Sequence, residues 1–260
     1  MPQLEEVVRL ARQAGVILRE GYEQAHEVKL KGRADPVTEI DGRSERFILD
    51  RLNMLYPGHK VITEETGTHS GKEEHCWYID PLDGTMNYAH GIPMYCVSIG
   101  YANHGTLTMG AVYDPMRDEC FYAETGKGAY LNGREIHCSV ETNLEQALLS
   151  TGFSLKADME TGKTNYHAFA RMSRVSSGVR RIGVAALEMS YVACGRLDGM
   201  WERKLCAWDV AAAFVIGKEA GLKITDLHGD PDAFKPPYEF IIANPTLHEQ
   251  MSDVLSSVGL

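Results

Sequence analysis

The chain opens with apolar residues at helical spacing, which predicts an amphipathic helix that ends near Tyr22. Its apolar face consists of Leu4, Val7, Val8, Ala11, Ala14, Leu18 and Tyr22. A second helix is predicted from Ile40 to Leu55, because Tyr56-Pro57-Gly58 follows it as a stop signal. The residues predicted to face inward on this helix are Ile40, Phe47, Ile48, Leu52 and Leu55.

Between Tyr95 and His137 the pattern changes to short β-rich runs separated by turn residues, which predicts an antiparallel meander. Asn132-Gly133 is a two-residue hairpin signal between its last two strands. The predicted strands are Tyr95–Asn103, Thr106–Tyr113, Glu119–Ala123, Ala129–Leu131 and Arg134–His137.

The remainder of the chain alternates between predicted strands and helices. The predicted strands are Gln146–Thr151, Asp198–Glu202, Leu222–Thr225 and Glu239–Ala243. The predicted helices are Val184–Cys194, Val210–Ala220 and Thr246–Leu255. Antiparallel strands followed by mixed segments favour an α+β fold. We expect a single domain over residues 1–260 with a soft subdivision near residue 145. The meander would lie in residues 1–145, and a lobe of mixed helices and strands in residues 146–260.

Composition and charge narrow the class of protein. The 260 residues are 44% hydrophobic and 24% charged, which is typical of an ordinary globular protein. We find no apolar run long enough to cross a bilayer and no signal-peptide pattern, so a cytoplasmic location is expected. The formal net charge of −10 disfavours nucleic acid as a partner. A phosphorylated ligand is still compatible with this charge, provided that divalent cations lie between its phosphate and the protein's carboxylates.

The cysteine and histidine patterns give little support to a zinc site or a disulfide framework. The six cysteines form no CxxC pair, so we expect reduced thiols, most of them small core residues. The ten histidines include neither HExxH nor HxH.

The run from Trp77 to Thr85 is the most informative stretch for chemistry. A β-rich segment ends at Asp80, turns at Pro81, and presents a second carboxylate at Asp83. If a helix begins at Thr85, the free amides of its first turn point toward whatever lies beside the two carboxylates. The run therefore predicts a site for a metal ion and a phosphate. The alternative is a surface turn at Asp83 with Asp80 as a helix cap.

Two other acidic positions are candidate site residues, but their local sequence does not distinguish this role from an ordinary structural one. Glu64 and Glu65 follow the short apolar run Lys60-Val61-Ile62, and taken alone this pattern favours an exposed acidic turn over a functional site. Asp209 precedes a strongly apolar segment that ends at Gly221, so it reads locally as a helix N-cap.

The segments DPLDGTMNYAHGIP (Asp80–Pro93) and WDVAAAFVIGKEAG (Trp208–Gly221) resemble the two signatures of the inositol monophosphatase family of lithium-sensitive, metal-dependent phosphatases. The resemblance extends over most of the chain. Its other segments are Asp35–Asp41, Glu64-Glu65, Gly126–Gly133 and Ala243-Asn244. It implies a layered αβαβα sugar-phosphatase fold, a homodimer, and two or three Mg²⁺ ions per site. The chain departs from many relatives at Leu222 and at residues 203–207, which affects fine assignments of substrate only.

The resemblance also implies residue roles. Asp80 would bridge two Mg²⁺ ions, Glu64 and the Leu82 carbonyl would hold the first, and Asp83 and Asp209 the second. Asp41 would lie in the outer shell near a third metal. Gly84 and Thr85 would bind phosphate through their amides, and the Thr85 hydroxyl would orient the attacking water. These donors are all oxygen atoms, which Mg²⁺ prefers.

The substrate class rests on the same resemblance. The segment after the DGT triplet, with Asn87 in it, resembles the corresponding segment of the inositol phosphatase branch of the family. Glu202 would then bind ring hydroxyls, with Gly183, Val184 and Ala185 beside the ring. An exposed acid at a strand end is the alternative for Glu202. The basic residues Arg180, Arg181, Arg203 and Lys204 are predicted to lie on a solvated surface.

The predicted activity is therefore the Mg²⁺-dependent hydrolysis of myo-inositol monophosphate or a similar small polyol or sugar phosphate. Fructose 1,6-bisphosphatase or dual activity is an alternative. A regulatory protein-interaction role that retains the fold is an alternative of another class. No membrane partner is expected.

Overall fold

The computed structural model describes residues 1–22, 28–32, 35–153 and 165–260, and of residues 28–32 and 35–37 it describes the backbone alone. The helices are α1 Leu4–Tyr22, α2 Glu39–Leu55, α3 Thr85–Ala89, α4 Tyr166–Val175, α5 Ala185–Ala193, α6 Ala207–Glu219 and α7 Pro245–Ser256, with a 3₁₀ turn at Leu144–Gln146. The strands up to the end of the meander are β1 Val28–Gly32, β2 Asp35–Thr38, β3 His59–Thr63, β4 Gly67–His69, β5 Lys72–Asp83, β6 Cys96–Asn103, β7 Thr106–Asp114, β8 Glu119–Glu124, β9 Ala129–Leu131 and β10 Arg134–Ile136. The later strands are β11 Leu148–Thr151, β12 Gly178–Arg180, β13 Gly199–Glu202, β14 Lys223–Thr225 and β15 Phe240–Ala243.

Most of these strands form two large sheets. The first has eight strands in the order β10-β9-β8-β7-β6-β5-β3-β4, and the run from β5 to β10 is antiparallel, which confirms the predicted meander. The strand β3 pairs parallel with β5 at its other edge. The second sheet has five strands in the order β12-β11-β13-β15-β14. A separate two-stranded sheet joins β1 and β2.

Helices and sheets alternate in five layers. A buried cluster that includes Leu18, Ile48 and Ile99 packs α1 and α2 against one face of the eight-stranded sheet. A second cluster fills the space between the two sheets, where α5 and α6 lie. A third packs α4 and α7 on the far face of the five-stranded sheet. This order confirms the α+β fold and the expected αβαβα arrangement.

The helix α6 is apolar on every side because it lies between the two sheets. Gly100 on β6 and Gly110 on β7 are paired across the sheet directly beneath it. A Cβ placed on Gly110 would lie 2.3 Å from the Ala212 carbonyl oxygen, so glycine is what permits this close approach. The Ser98 hydroxyl also donates to the Trp208 carbonyl over 3.3 Å. The first turn of α6 is thereby held against β6.

The structure corrects several details of the sequence-based predictions. Leu55 is 42% exposed instead of facing inward, because α2 ends at the surface. The helix α6 begins at Ala207, three residues before the predicted start. The helix α4 and the strands β3, β4 and β12 were not predicted. Of the six cysteines, Cys76, Cys96 and Cys120 are buried, Cys138 and Cys194 pack partly buried against the core, and Cys206 is exposed. In the described residues, no helix combines the length and apolarity needed to cross a bilayer.

Candidate active site

The end of β5 places two carboxylates side by side through a break in strand pairing. Asp80 pairs with Ser98 and Asp83 with Cys96, so the register shifts between the two aspartates. The Asp80 side chain folds back onto this break, because its Oδ1 accepts a hydrogen bond from the Leu82 amide over 3.0 Å. The strand therefore continues through Asp83 instead of ending at Asp80, and the interpretation of Asp80 as a helix cap is wrong.

Gly84 and Thr85 follow this break, and α3 begins at Thr85, which meets the condition stated for amides that face this region. Gly84 has a positive φ of 95°, a conformation that favours glycine. A Cβ there would lie 2.8 Å from Val184 Cγ2, so the backbone is packed closely against the residues that precede α5. The turn is thus fixed in shape beside Asp83.

Asp209 reaches the same region from α6. It lies in the first turn of the helix, and its Oδ2 accepts a hydrogen bond from the Cys206 amide over 2.7 Å. Cys206 is the N-cap, so the local interpretation of Asp209 as the cap is wrong. The contact between Ser98 and Trp208 explains the location, because Ser98 is the cross-strand partner of Asp80.

Glu64 lies in the turn after β3, where its amide donates to the Ile79 carbonyl over 3.3 Å. A second acid, Glu45 of α2, holds this turn through hydrogen bonds and is itself buried. Its carboxylate accepts hydrogen bonds from the Thr63 hydroxyl (2.6 Å), the Glu65 amide (3.0 Å) and both the amide and the hydroxyl of Thr66 (3.1 and 2.6 Å). Residues on both sides of Glu64 are therefore fixed by one buried carboxylate.

Sequence reasoning missed Glu45. Its position four residues after Asp41 was the available signal, because residues at this spacing share one face of a helix. The same face of α2 carries Ser44, whose hydroxyl donates to the Pro81 carbonyl over 2.9 Å. One helix face therefore supports both the Glu64 turn and the break between Asp80 and Asp83.

Asp41 completes that helix face and contacts Thr85 directly. Its Oδ2 accepts from the amide and the hydroxyl of Thr38, at 2.8 and 2.6 Å, which caps α2. Its Oδ1 lies 3.1 Å from the Thr85 hydroxyl. Burial raises the pKa of Asp41, and these hydrogen bonds partly offset the effect.

The pKa values of Asp80, Asp83 and Asp209 are all raised. Burial raises the pKa of Asp80 well above its usual value, and repulsion from Glu64, Asp83 and Asp209 adds to the effect. Burial also raises the pKa of Asp83 and of Asp209 to about 7, although amide hydrogen bonds from Ala186 and Cys206 oppose the change. Within the part of the chain that the structure describes, no ion pair to Lys or Arg involves any of these three aspartates.

These carboxylates suit a hard cation in charge and in donor type. Buried carboxylates that repel one another are costly unless a positive charge lies among them. The donors on offer are carboxylate and carbonyl oxygens, which is the set that Mg²⁺ prefers. Over the described residues, no three Asp, Glu, His or Cys side chains form a complete metal-binding group. The fit therefore rests on charge and chemistry.

Glu202 and the residues that precede α5 border the same carboxylates. Glu202 is only 7% exposed, so the alternative of an exposed strand-end acid is wrong. Its Oε2 is buried without a hydrogen-bond partner among the described residues. Burial raises its pKa well above the usual value, and Glu188, Asp209 and Asp83 contribute by repulsion.

The residues around the start of α5 differ in exposure. Gly183 is exposed, with open space where a side chain would project, whereas Val184 and Ala185 are buried. Arg203, predicted on a solvated surface, is buried and lies 3.4 Å from a carboxylate oxygen of Glu239.

Known proteins resemble this chain over nearly its whole length. A profile of the inositol monophosphatase family matches residues 2–259. The inositol-1-monophosphatase of Synechocystis sp. is 38% identical over 257 residues, which cover 98% of this chain and 88% of that protein. The Nus factor SuhB of Escherichia coli is 40% identical over 231 residues, covering 88% of this chain and 86% of that protein. The solved structure of inositol monophosphatase from Anabaena (Nostoc) sp. has a TM-score of 0.88 at 36% identity, covering 98% of this chain and 95% of that one.

Proposed function

Because the chain belongs to the inositol monophosphatase family, we propose that it is a Mg²⁺-dependent phosphomonoesterase that hydrolyses myo-inositol monophosphate or a similar small polyol or sugar phosphate. One observation carries the proposal. Asp80 is buried, and Asp83 and Asp209 lie close enough to it that their charges raise its pKa. Asp83 is followed directly by the tightly packed turn at Gly84 and Thr85.

The residues that would hold Mg²⁺ come from three elements of the fold. Glu64, Asp80 and the Leu82 carbonyl would hold one ion, and Asp80, Asp83 and Asp209 a second. When bound, Mg²⁺ supplies positive charge that activates a water and offsets the charge developing on the leaving ester oxygen. The turn at Gly84 and Thr85 would hold the phosphate through backbone amides.

Thr85 and Asp41 would orient the attacking water. The Thr85 hydroxyl lies within hydrogen-bonding distance of both Asp41 Oδ1 and the Leu82 carbonyl, at 3.1 and 3.0 Å. Its one proton is donated to either acceptor, so its oxygen lone pairs are free to accept a hydrogen bond from water. Asp41 is buried and fixed by Thr38, so one of the two acceptors of this hydroxyl is in place before substrate binds.

Glu202 and Gly183 would contact the part of the substrate beyond the phosphate. The Glu202 Oε2 atom lacks a partner among the described residues, and a substrate hydroxyl would satisfy it. A hydroxyl donating to a buried carboxylate removes the cost of an unpaired polar atom. This favours polyol and sugar phosphates over esters without hydroxyls.

The test is Mg²⁺-dependent phosphate release from inositol 1-phosphate, fructose 1,6-bisphosphate, 3′-phosphoadenosine 5′-phosphate and histidinol phosphate. We expect the highest kcat/KM with inositol 1-phosphate and no release in excess chelator. A preference for fructose 1,6-bisphosphate would support the alternative sugar phosphatase. Absence of release from every ester in saturating Mg²⁺ would overturn the proposal.

A protein-interaction role is the second candidate, because one relative at 40% identity is named a Nus factor. An Asp83→Asn variant separates the two roles, since it should lose hydrolysis and keep any surface used for binding. We also propose a homodimer in the cytoplasm, and light scattering coupled to gel filtration tests the oligomeric state.

A further inference from the structure

Glu188 on α5 accepts hydrogen bonds from three consecutive backbone amides. Its carboxylate oxygens lie 3.1 Å from the Ile182 amide, 3.1 Å from the Gly183 amide and 3.3 Å from the Val184 amide. Glu188 is itself buried, whereas Gly183 is exposed. One buried carboxylate therefore holds the inner side of an exposed segment, which we call the 182–184 segment.

The same segment is also fixed by a residue of α3. The Asn87 side-chain amide donates to the Ile182 carbonyl over 3.0 Å and to the Met94 carbonyl over 3.0 Å. Asn87 belongs to α3, two residues after Thr85. The 182–184 segment is thus held between α3, which borders the phosphate side of the site, and Glu188.

The residues just after this segment contact Asp83. The Ala186 amide donates to Asp83 Oδ2 over 2.8 Å, and Val184 packs on Gly84. Asp83 and Glu188 therefore share the amino-terminal end of α5, where the helix dipole favours negative charge. A change in how Glu188 holds the segment is expected to alter the shape of the wall beside Asp83 while leaving the Asp83 contact to Ala186 in place.

Gly183 faces open space at this wall, with no atom within 4 Å of where its Cβ would project. Glu202 lies close enough to Glu188 for repulsion between them to raise its pKa. The segment and the buried acid Glu202 are therefore both close to one carboxylate, that of Glu188. This is the region available to the part of a substrate that lies beyond its phosphate.

We propose that Glu188 is a positioning residue that holds the 182–184 segment in the one conformation that accepts the hydroxyl-bearing part of the substrate. The proposal rests on the phosphatase function proposed above. Glu188 acts through the backbone and contacts neither the phosphate nor the reacting water. Its loss should therefore weaken recognition of the alcohol part of the ester more than chemistry at phosphorus.

The experiment compares the wild type with Glu188→Gln on inositol 1-phosphate and p-nitrophenyl phosphate. Glutamine keeps the volume but places an NH₂ group against amide donors, so at least one of the three hydrogen bonds is lost. We expect kcat/KM for inositol 1-phosphate to fall about tenfold, mainly through KM, and the loss with p-nitrophenyl phosphate to be at least about fivefold smaller. Glu249→Gln, on an exposed part of α7, is the matched control and should leave kcat/KM unchanged for both substrates.

Hydrogen exchange gives a readout that does not depend on activity. In Glu188→Gln, amides of a peptide covering residues 182–184 should exchange faster, while the later turns of α5 should keep their protection. Equal losses with both substrates, or unchanged exchange in the segment, would overturn the proposal. So would wild-type kinetics in the variant.

A second variant keeps the proposal testable if Glu188→Gln does not fold. Asn87→Ala removes the hydrogen bond to the Ile182 carbonyl from the other side and should show the same selective loss with inositol 1-phosphate. If kcat/KM falls equally for both substrates in this variant, the segment does not serve substrate recognition and the proposal fails. A wild-type protein that hydrolyses no ester refutes the proposed function instead, and the exchange experiment still reports whether Glu188 holds the segment.

Discussion

The Thr85 hydroxyl lies 3.1 Å from Asp41 Oδ1, and this contact joins the first turn of α2 to the first turn of α3. Thr85 is only partly buried, whereas Asp41 is completely buried and accepts a hydrogen bond from the Thr38 amide. Asp41 is therefore a fixed acceptor for this hydroxyl, and the Leu82 carbonyl is its one other acceptor in the described residues. The hydroxyl is therefore the group expected to orient the attacking water.

Substitution of Thr85 tests this role. Thr85→Val keeps the shape of the side chain but removes the hydroxyl, so kcat should fall at least about a hundredfold, the usual scale for a positioned proton-transfer group. Thr85→Ser retains the hydroxyl and should stay within about tenfold of the wild type. Steady-state kinetics in saturating Mg²⁺ measure both. Equal activity of the two variants would contradict the assignment.

Asp83→Asn should leave the protein folded and nearly inactive. Asparagine can still accept the Ala186 hydrogen bond through its carbonyl oxygen, and it removes a charge whose burial and repulsion raise the pKa of Asp83 to about 7. Thermal stability should therefore be maintained, while titration calorimetry should show weaker Mg²⁺ binding. Activity within about tenfold of the wild type, which is about 1.4 kcal/mol in the barrier, would remove Asp83 from the proposed ligands.

The predictable parts of the fold are those with a strong local pattern. The helix α1 and the meander were predicted because their apolar residues recur at periods set by the helix and the strand. The helix α4 was missed because only Ala168 and Met172 are buried along it, which leaves too little periodicity to detect. The strands β4 and β12 have three residues each, which is too short for a detectable period, and β12 pairs with β11, a segment distant in the sequence.

The same distinction applies to the site. Asp80, Asp83 and Thr85 occur within one short motif, so the sequence alone indicated them. Glu45 and Glu188 are single acids on helices and look locally like residues of a solvated face. Their burial follows from tertiary packing, in which Glu45 binds a turn 18 or more residues away. The spacing of Glu45 from Asp41 places both on one face of α2, but it does not report these tertiary contacts.

Li⁺ should inhibit hydrolysis at millimolar concentrations, in competition with Mg²⁺ at the site that includes Asp83 and Asp209. A small monovalent cation carries too little charge to replace Mg²⁺ in activating water, although oxygen donors accept it. Inhibition curves at several Mg²⁺ concentrations measure the effect, with Na⁺ as the control ion. Complete insensitivity would separate this chain from the lithium-sensitive members of its family and leave the phosphatase proposal in place.

Glu202→Ala should weaken catalysis on polyol phosphates selectively. A hydroxyl paired with a charged acceptor contributes about 1.5–3 kcal/mol, so kcat/KM for inositol 1-phosphate should fall roughly ten- to a hundredfold. p-Nitrophenyl phosphate, which has no polyol, should be affected far less. Glu202→Gln is the matched variant, because it retains one acceptor oxygen and should lose less than the alanine. Equal losses on both substrates would show that Glu202 supports the fold or the metal site.

His248 should make the stability of the protein depend on pH in mildly acidic solution. It is 3% exposed, and its Nε2 lies 3.0 Å from the Thr225 hydroxyl. That hydroxyl already donates to the Asp226 carbonyl, so Nε2 is the nitrogen that carries the proton in the neutral ring. A second proton would go to Nδ1, which is buried with no hydrogen-bond partner among the described residues.

Burial, reinforced by Lys223 and opposed by Glu249 and the Ile241 backbone, lowers the pKa of His248 from 6.5 to about 4. Between these values the unfolded chain binds more protons than the folded one, so the free energy of unfolding falls as the pH is lowered. The contribution is complete above pH 6.5 and is lost by about pH 4, a total of at most about 3 kcal/mol.

Urea unfolding at a series of pH values between about 4.5 and 7 measures this dependence in the wild type and in His248→Gln. Glutamine can still donate to Thr225 but does not titrate, so its stability should change less steeply over this range. His167→Gln, on the exposed side of α4, is the control and should keep the wild-type slope. The same slope in His248→Gln and in the wild type would assign the acid sensitivity to other groups, because a residue that dominates the proton linkage cannot be removed without flattening it.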